Sequence, residues 1–197
     1  MRKREAQREE TRDRVYRAAL AVFRRDGVQE ARIEDIAAAA EVSRGTFYFH
    51  FATKEDVLAE RHAVSERHIA TELAKLPARA ALPSVLRAFC EAFGEEWQHE
   101  PKIFPEVGMV ALRATAGSLG GPVTSPVRLA LAERFRHALD RRELTGALPA
   151  ELLSDIFLTN VFAAALAWCG NPSLAIGTVL SGVVTLFFDG VGRPAKR

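Results

Sequence analysis

The stretch "SRGTFYFH" places hydrogen-bond donors and aromatic rings next to one another along the chain. The guanidinium of Arg44 can reach a guanine edge or a phosphate, and Thr46 can contact a base edge or a methyl group. Tyr48 and His50 can donate to phosphate oxygens, which position a protein on a duplex without reading its sequence. These residue types indicate a nucleic-acid contact, provided that one surface presents them together.

The same stretch fits two secondary structures. Phe47, Phe49 and Phe51 alternate with polar residues, as in a half-buried strand, but Phe47 and Phe51 also lie four residues apart, as on one face of a helix. Ser43 can cap a helix by accepting from its free N-terminal amides, and the sequence offers no partner strand. We therefore predict a helix that begins at Arg44, with Phe47 and Phe51 in a small core and Phe49 facing outwards.

Neighbouring helices complete a helix-turn-helix pattern. We expect a first helix from Thr11, as its N-cap, to about Arg25, after a basic arm; "IEDIAAAA" is a short second helix, and "EVS" is the turn. Thr53 opens a fourth helix, at whose start Lys54 would add a phosphate contact. A glycine in the third helix would let the backbone approach a duplex closely. The predicted DNA-contacting residues are Arg32, Ser43, Arg44, Gly45, Thr46, Tyr48, Phe49, His50 and Lys54.

Residues 11–58 resemble the tetracycline-repressor (TetR) family of transcriptional regulators. The chain has "VYRAALAVFRRDG" and then "DIAAAAEVSRGTFYFHFATKEDVL", where the family pairs an apolar first helix with "DIA..AGVS.GTLY.HF..K..L". The resemblance implies a regulator, usually a repressor, that binds a palindromic operator as a homodimer and is released by a small molecule.

Two residues depart from the family pattern. Arg32 occupies the N-cap position of the second helix, where the family has a hydroxyl, so that helix start should be weaker by about 1 kcal/mol. Arg32 is instead expected to reach a phosphate. Glu41 replaces the turn glycine, and the sequence does not indicate how the turn closes without it.

Downstream, Pro and Gly divide the chain into further helical segments, and no strand pattern is found. The sequence predicts an all-α fold of about nine helices, with one Gly/Ser/Pro-rich loop, "AGSLGGPVTSP". We expect a three-helix DNA-binding domain over residues 1–52 and a larger helical domain, for effector binding and dimerisation, over residues 53–197.

The larger domain carries an aromatic-rich set of residues on its helices. The resemblance implies a ligand cavity among them, suited to a hydrophobic or aromatic effector, although plain core packing is the alternative for each aromatic ring. The predicted effector-binding residues are Phe89, Phe93, Trp97, Phe104, Met109, Leu112, Arg113, Phe135 and Phe157.

The chain from Ile156 to Phe188 contains no charged side chain. A membrane hairpin is disfavoured because Asn171-Pro172 splits the run and the second piece is shorter than the ~20 residues that span a bilayer. We expect instead a helix pair that is buried partly by a second copy of the chain, as the resemblance also implies. The predicted dimer-interface residues are Phe157, Val161, Ala164, Ala165, Trp168, Leu180, Val184 and Phe187.

Enzymatic function is the rival class. The i, i+4 pairs His62/Glu66 and Glu95/His99 lack further ligands at a metal-binding spacing, so we predict solvated helix faces there. No phosphate-binding glycine loop or nucleophile elbow is found, and neither a metal, a cofactor nor catalysis is expected.

The start "MRKREAQREE" lacks the apolar core of a secretory signal, so we expect a cytoplasmic protein. A DNA-binding dimer without any effector is the remaining alternative.

Overall fold

The computed structural model describes residues 2–116, 125–144, 148–171 and 173–191. These ranges contain nine α-helices and no strand, which confirms the predicted all-α fold. Most of the predicted Gly/Ser/Pro-rich loop lies outside the described residues. The helices are α1 (Arg2–Asp26), α2 (Ile33–Ala39), α3 (Arg44–His50), α4 (Lys54–Ala74), α5 (Leu82–Trp97), α6 (Phe104–Ala116), α7 (Pro126–Asp140), α8 (Ala150–Gly170) and α9 (Ile176–Val191).

The first three helices pack on one another as a helix-turn-helix unit. Their shared core includes Val15, Phe23, Ile36, Phe47 and Phe51, all of which are buried. The prediction that Phe47 and Phe51 both point into a small core is therefore confirmed, although α3 ends at His50 and Phe51 is its extended C-cap residue. Burying both rings fixes which side of α3 is left for solvent.

The predicted start of α1 at Thr11 is wrong, because the helix begins at Arg2. The hydroxyl of Thr11 donates to the carbonyl oxygen of Gln7, at 2.9 Å, and so lies inside the helix. Residues 2–10 are mostly good helix formers and include no Gly or Pro that would stop the helix. The basic arm expected from the sequence is thus the first part of α1.

Helix starts follow the predicted caps. Ser43 accepts from the Thr46 amide at 3.1 Å, and Thr53 and Asp56 form a reciprocal capping box at the start of α4. Arg32 is the N-cap of α2 and makes no side-chain capping bond, as predicted.

Glu41 closes the turn between α2 and α3 in the left-handed conformation, with φ 53°. Its amide donates to Ala38 O at 3.1 Å, and the Val42 amide donates to Ala37 O at 2.9 Å. This pair of bonds is a Schellman C-cap, which normally has glycine in the left-handed position. The turn therefore closes as it would with glycine, at the cost of backbone strain at Glu41.

The remaining helices form the larger helical body. α4 packs mainly against α5, α6 and α7, while α8 packs against α6, α7 and α9. By length and composition alone α8 could cross a membrane, but 50% of its most apolar window is buried inside the protein. Ion pairs from Arg12 to Glu60 and from Arg24 to Glu100 join α1 to this body. The domain boundary after residue 52 stays a prediction.

The structure corrects most of the predicted dimer interface. Val161, Ala165, Leu180 and Val184, like Phe157, Trp168 and Phe187, are buried in the core of their own chain, and of the eight predicted residues only Ala164 is partly exposed. Between Ile156 and Phe188, where α8 and α9 carry no charged side chain, the apolar pattern does not distinguish the core face from the outer face. The residues that are exposed, here called the α8–α9 outer face, are Thr159, Asn160, Ala163, Ala167, Gly177, Thr178, Ser181, Gly182, Thr185 and Leu186.

Candidate nucleic-acid interface and effector pocket

The solvent side of α3 is a small surface that combines polar and aromatic groups. We call Arg44, Gly45, Tyr48 and Phe49 the α3 outer face; all four are exposed. Tyr48 and Phe49 are 48% and 63% exposed, although α3 has only two turns. Large rings left in solvent beside an arginine indicate a surface that binds a partner.

Arg44 is already engaged in a surface ion pair. Its guanidinium lies 2.8 Å from the Glu34 carboxylate, and both side chains are more than half exposed. Such pairs are worth about 1 kcal/mol or less, so a DNA phosphate or base could take the place of Glu34. The hydroxyls of Ser43 and Thr46 are hydrogen-bonded to each other at 2.9 Å, which orients both at the helix start.

The beginning of α1 lies beside the α3 outer face. The guanidinium carbon of Arg8 is 4.8 Å from the centroid of the Phe49 ring. Partial burial, and then the charges of Arg8 and Arg12, lower the pKa of His50. At neutral pH His50 is therefore an uncharged imidazole that can donate a hydrogen bond but adds no positive charge.

Lys54 has a different position from the one predicted. Its ammonium donates to Val28 O at 2.7 Å, to Gln29 O at 3.1 Å and to Ala31 O at 3.1 Å. These bonds use all three donors of the ammonium group. Lys54 therefore anchors the α1–α2 loop to the start of α4, in place of the predicted phosphate contact. Arg32 is exposed, and its phosphate contact stays a prediction.

The larger body contains a cavity of about 270 Å³ between α4, α5, α7 and α8. Of the predicted effector residues, Phe89, Phe93 and Trp97 line it. The lining residues are His62, Ser65, Glu66, Ile69, Phe89, Phe93, Trp97, Ala111, Ser125, Pro126, Val127, Arg128, Leu158 and Phe162. We call this cavity the central pocket.

The other predicted effector residues do not line the central pocket. Phe104, Phe135 and Phe157 are buried in the core, where their rings pack against other aromatic rings. Met109 is 42% exposed, while Leu112 is partly buried and Arg113 is exposed. For the three phenylalanines the alternative of plain core packing was correct.

The pocket's polar residues were not predicted from the sequence. His62 and Glu66, with His62 Nε2 3.8 Å from Glu66 Oε1, were interpreted as a solvated helix face, but α7 and α8 cover them. Burial lowers the pKa of His62, against the opposing effect of Glu66. Ser125 donates to Glu66, and Arg128 makes two bonds to Asp155, at 2.6 and 2.8 Å. In the sequence, the only signal for these pocket residues is the i, i+4 spacing of His62 and Glu66, which places the two side chains on the same face of a helix.

A partly buried ionic network joins the central pocket to α1. The Arg61 guanidinium carbon lies 4.2 Å from the centroid of the Trp97 ring, which lines the pocket. Arg61 also lies 2.5 Å from the Glu96 carboxylate and 4.0 Å from the Glu100 carboxylate. Glu100 in turn binds Arg24 of α1, at 2.5 Å. Contacts thus run from the pocket wall to the helix-turn-helix unit.

Comparison with known proteins locates the similarity at the N-terminal end. Residues 15–60 match the family described as "Bacterial regulatory proteins, tetR family". The transcriptional regulator SrpR of Pseudomonas putida is 49% identical over 57 residues, which are 29% of this chain and 27% of SrpR. The regulator TcmR of Streptomyces glaucescens is 40% identical over 84 residues, which are 42% of this chain and 35% of TcmR. The matches thus span about a third or less of these relatives.

Similarity to solved structures extends over the whole fold. The TetR-family repressor FadR of Thermus thermophilus, solved with lauroyl-CoA, has a TM-score of 0.74 at 26% identity, over 94% of this chain and 98% of FadR. SmeT, the repressor of the Stenotrophomonas maltophilia multidrug efflux pump SmeDEF, has a TM-score of 0.68 at 20% identity, over 93% and 91% of the two chains. In the part of the chain that the structure describes, no group of three or more His, Cys, Asp or Glu could hold a metal ion.

Proposed function

We propose that this chain, which belongs to the TetR family of bacterial regulatory proteins, is a cytoplasmic, non-enzymatic repressor that binds a palindromic operator as a homodimer. A small, largely hydrophobic effector bound in the central pocket releases it from DNA. The observation that carries this proposal is the α3 outer face, which leaves Arg44, Tyr48 and Phe49 exposed at the tip of a helix-turn-helix unit. A major groove admits such a helix.

Two copies are needed for a selective reading of DNA. A helix of seven residues contacts few base pairs, whereas two recognition helices held about 34–36 Å apart read two half-sites of a palindrome. The α8–α9 outer face supplies the contact between copies in this proposal. It is uncharged, and Gly177 and Gly182 leave room for a second helix to approach closely.

The oligomeric state can be tested on that outer face. A Ser181→Arg variant places a charge where the second copy would pack, and it should sediment as a monomer. Thr71→Arg, an equally exposed change on α4, should leave the dimer intact. If unaltered protein has the mass of one chain at working concentration, the dimer proposal fails.

An effector role is favoured by the central pocket and by its link to α1. The similar repressor FadR was solved with lauroyl-CoA, and SmeT represses a multidrug efflux pump, so we propose that this pocket too receives a small molecule. Such a molecule alters DNA affinity only if it prefers one arrangement of the recognition helices over the other. The Trp97–Arg61–Glu100–Arg24 contacts provide a physical connection for that preference.

The function is tested by selecting duplexes from a random pool with purified full-length protein. We expect an enriched palindrome, and binding of that palindrome is then repeated against a panel of hydrophobic small molecules. Absence of any enriched sequence would contradict a regulator. An enriched palindrome that no compound releases would favour a DNA-binding dimer without an effector.

A further inference from the structure

Building on the proposed effector role, we propose that the central pocket is specific for a compact organic cation with an apolar body, and that the Glu66 carboxylate is its anchor. The pocket's size supports a compact ligand, because about 270 Å³ lies just below the range of roughly 300–1,000 Å³ for drug-sized sites. Apolar groups make up most of its wall, with Phe89, Phe93, Trp97 and Phe162 among them. The charge of the ligand follows from the ionisable residues that remain.

The cationic residue in the pocket wall, Arg128, is already neutralised. Its guanidinium makes a two-point contact with Asp155, which is 0% exposed, while Arg128 is 6% exposed. A planar guanidinium paired in this way with a buried carboxylate attracts an incoming anion only weakly, because the carboxylate offsets its positive charge. Opening that pair to admit an anionic ligand would leave Asp155 buried and uncompensated, which is strongly unfavourable.

The nearby histidine and arginine do not supply positive charge either. Burial keeps the pKa of His62 below its ordinary value, so the imidazole is neutral at physiological pH. Arg61 stacks on Trp97, but it is paired with Glu96 and lies near Glu100. Residues 117–125, which connect α6 to α7 in the sequence, include no ionisable side chain. The pocket is therefore without a free cation among the residues that the structure describes.

Glu66 remains as the unneutralised charge in the pocket wall. One of its carboxylate oxygens accepts a hydrogen bond from the Ser125 hydroxyl and lies 3.8 Å from His62 Nε2. Both of these partners are uncharged. Its side chain is 19% exposed, so the carboxylate is accessible from the cavity. A partly buried carboxylate whose neighbours carry no charge attracts a cation more strongly than an exposed one, because water screens it less.

The aromatic wall complements the same charge. An ammonium or similar cation is attracted to the faces of Trp and Phe rings within about 6 Å, and the attraction increases when water is excluded. Phe93 and Phe162 lie close together, with ring centroids 5.7 Å apart, and Trp97 completes the wall beside them. A carboxylate or a phosphate ester would meet the same ring faces with repulsion.

Three probes with the same ten-carbon chain test the charge directly: decyltrimethylammonium, decanol and decanoate, all below their aggregation concentrations. Binding to the full-length protein is measured by calorimetry and by tryptophan fluorescence, since Trp97 lines the pocket. We expect the cation to bind at least about tenfold more tightly than decanoate, with decanol in between. Tighter binding of decanoate, or binding of none of the three, would overturn the inference.

Variants then assign the preference to Glu66. Glu66→Gln should weaken binding of the cation about tenfold while leaving decanol within about twofold, and Glu66→Asp should restore part of the loss. Glu72→Gln, a partly exposed acid on the same helix that does not line the pocket, is the matched control and should leave cation binding unchanged. An unchanged cation affinity in folded Glu66→Gln protein would contradict the assignment. Operator binding, measured on the same samples, separates failure of this inference from failure of the repressor proposal.

Discussion

Arg61 stacks its guanidinium on the ring of Trp97, with 4.2 Å between the guanidinium carbon and the ring centroid. Both residues are buried, at 6% and 2% exposure. Trp97 also lines the central pocket, and Arg61 is paired with Glu96. One residue pair thus joins the pocket wall to the ionic network that reaches α1.

Removing the Arg61 charge should destabilise the fold strongly. Arg61→Met keeps much of the side-chain volume but leaves Glu96 and the 6% exposed Glu100 with one cation fewer, and breaking a buried pair in this way costs about 3 kcal/mol. Urea unfolding measures the change. Arg67→Met, at an exposed position of the same helix, should change the free energy of unfolding by less than about 0.5 kcal/mol. Equal effects of the two substitutions would contradict the role of Arg61.

Glu41→Gly should stabilise the protein by about 1 kcal/mol, because glycine adopts φ 53° without the strain that a side chain brings. Thermal or urea unfolding measures the gain. The matched control is Ala39→Gly, at an exposed position in the last turn of α2, which should lose up to about 1 kcal/mol. A loss of stability in Glu41→Gly would show that the Glu41 side chain makes a contribution larger than its backbone strain.

Arg32 allows helix capping and DNA contact to be separated. Arg32→Thr should raise the free energy of unfolding by about 1 kcal/mol by supplying the missing cap of α2. If Arg32 contacts a phosphate, the same variant should flatten the log–log salt dependence of operator binding by about one unit. Arg32→Ala is the control, since it should flatten the salt dependence equally without the gain in stability. An unchanged slope in both variants would remove Arg32 from the interface.

His62 should make the fold less stable as the pH falls. Burial lowers its pKa in the folded state, so the unfolded chain takes up the proton first. The His62 contribution therefore decreases as pH falls through the ordinary value near 6.5 and levels off below the folded-state pKa. Melting temperatures between pH 7.5 and 5.5 should fall less in His62→Gln than in unaltered protein. The exposed His99→Gln control should follow the unaltered protein, and a similar pH dependence in all three would contradict this cause.

The sequence was sufficient for the features that depend on local spacing. The four-residue separation of Phe47 and Phe51, together with the capping side chain of Ser43, specified α3 and its outer face. The same local reasoning failed for Thr11, because capping residues are also tolerated inside a helix whose flanking residues favour helix.

Features that depend on packing between distant segments were not predictable in the same way. Glu66 meets Ser125, 59 residues further along the chain, and nothing in the spacing of either residue indicates the other. The eight proposed interface residues are apolar positions in a run of sequence without charged side chains, but apolar character alone also describes a core, which is where Val161 and Leu180 lie. Lys54 similarly found carbonyl partners in a loop whose path the sequence did not define.

The central claim, that the α3 outer face binds the operator, is tested most directly by fluorescence anisotropy with the duplex obtained by selection. Arg44→Ala and Tyr48→Ala should each weaken binding by about tenfold or more while the melting temperature stays unchanged, because both side chains are exposed in the free protein. Arg67→Ala, an exposed arginine on α4, should bind as the unaltered protein does. Undiminished affinity in both folded α3 variants would contradict the account.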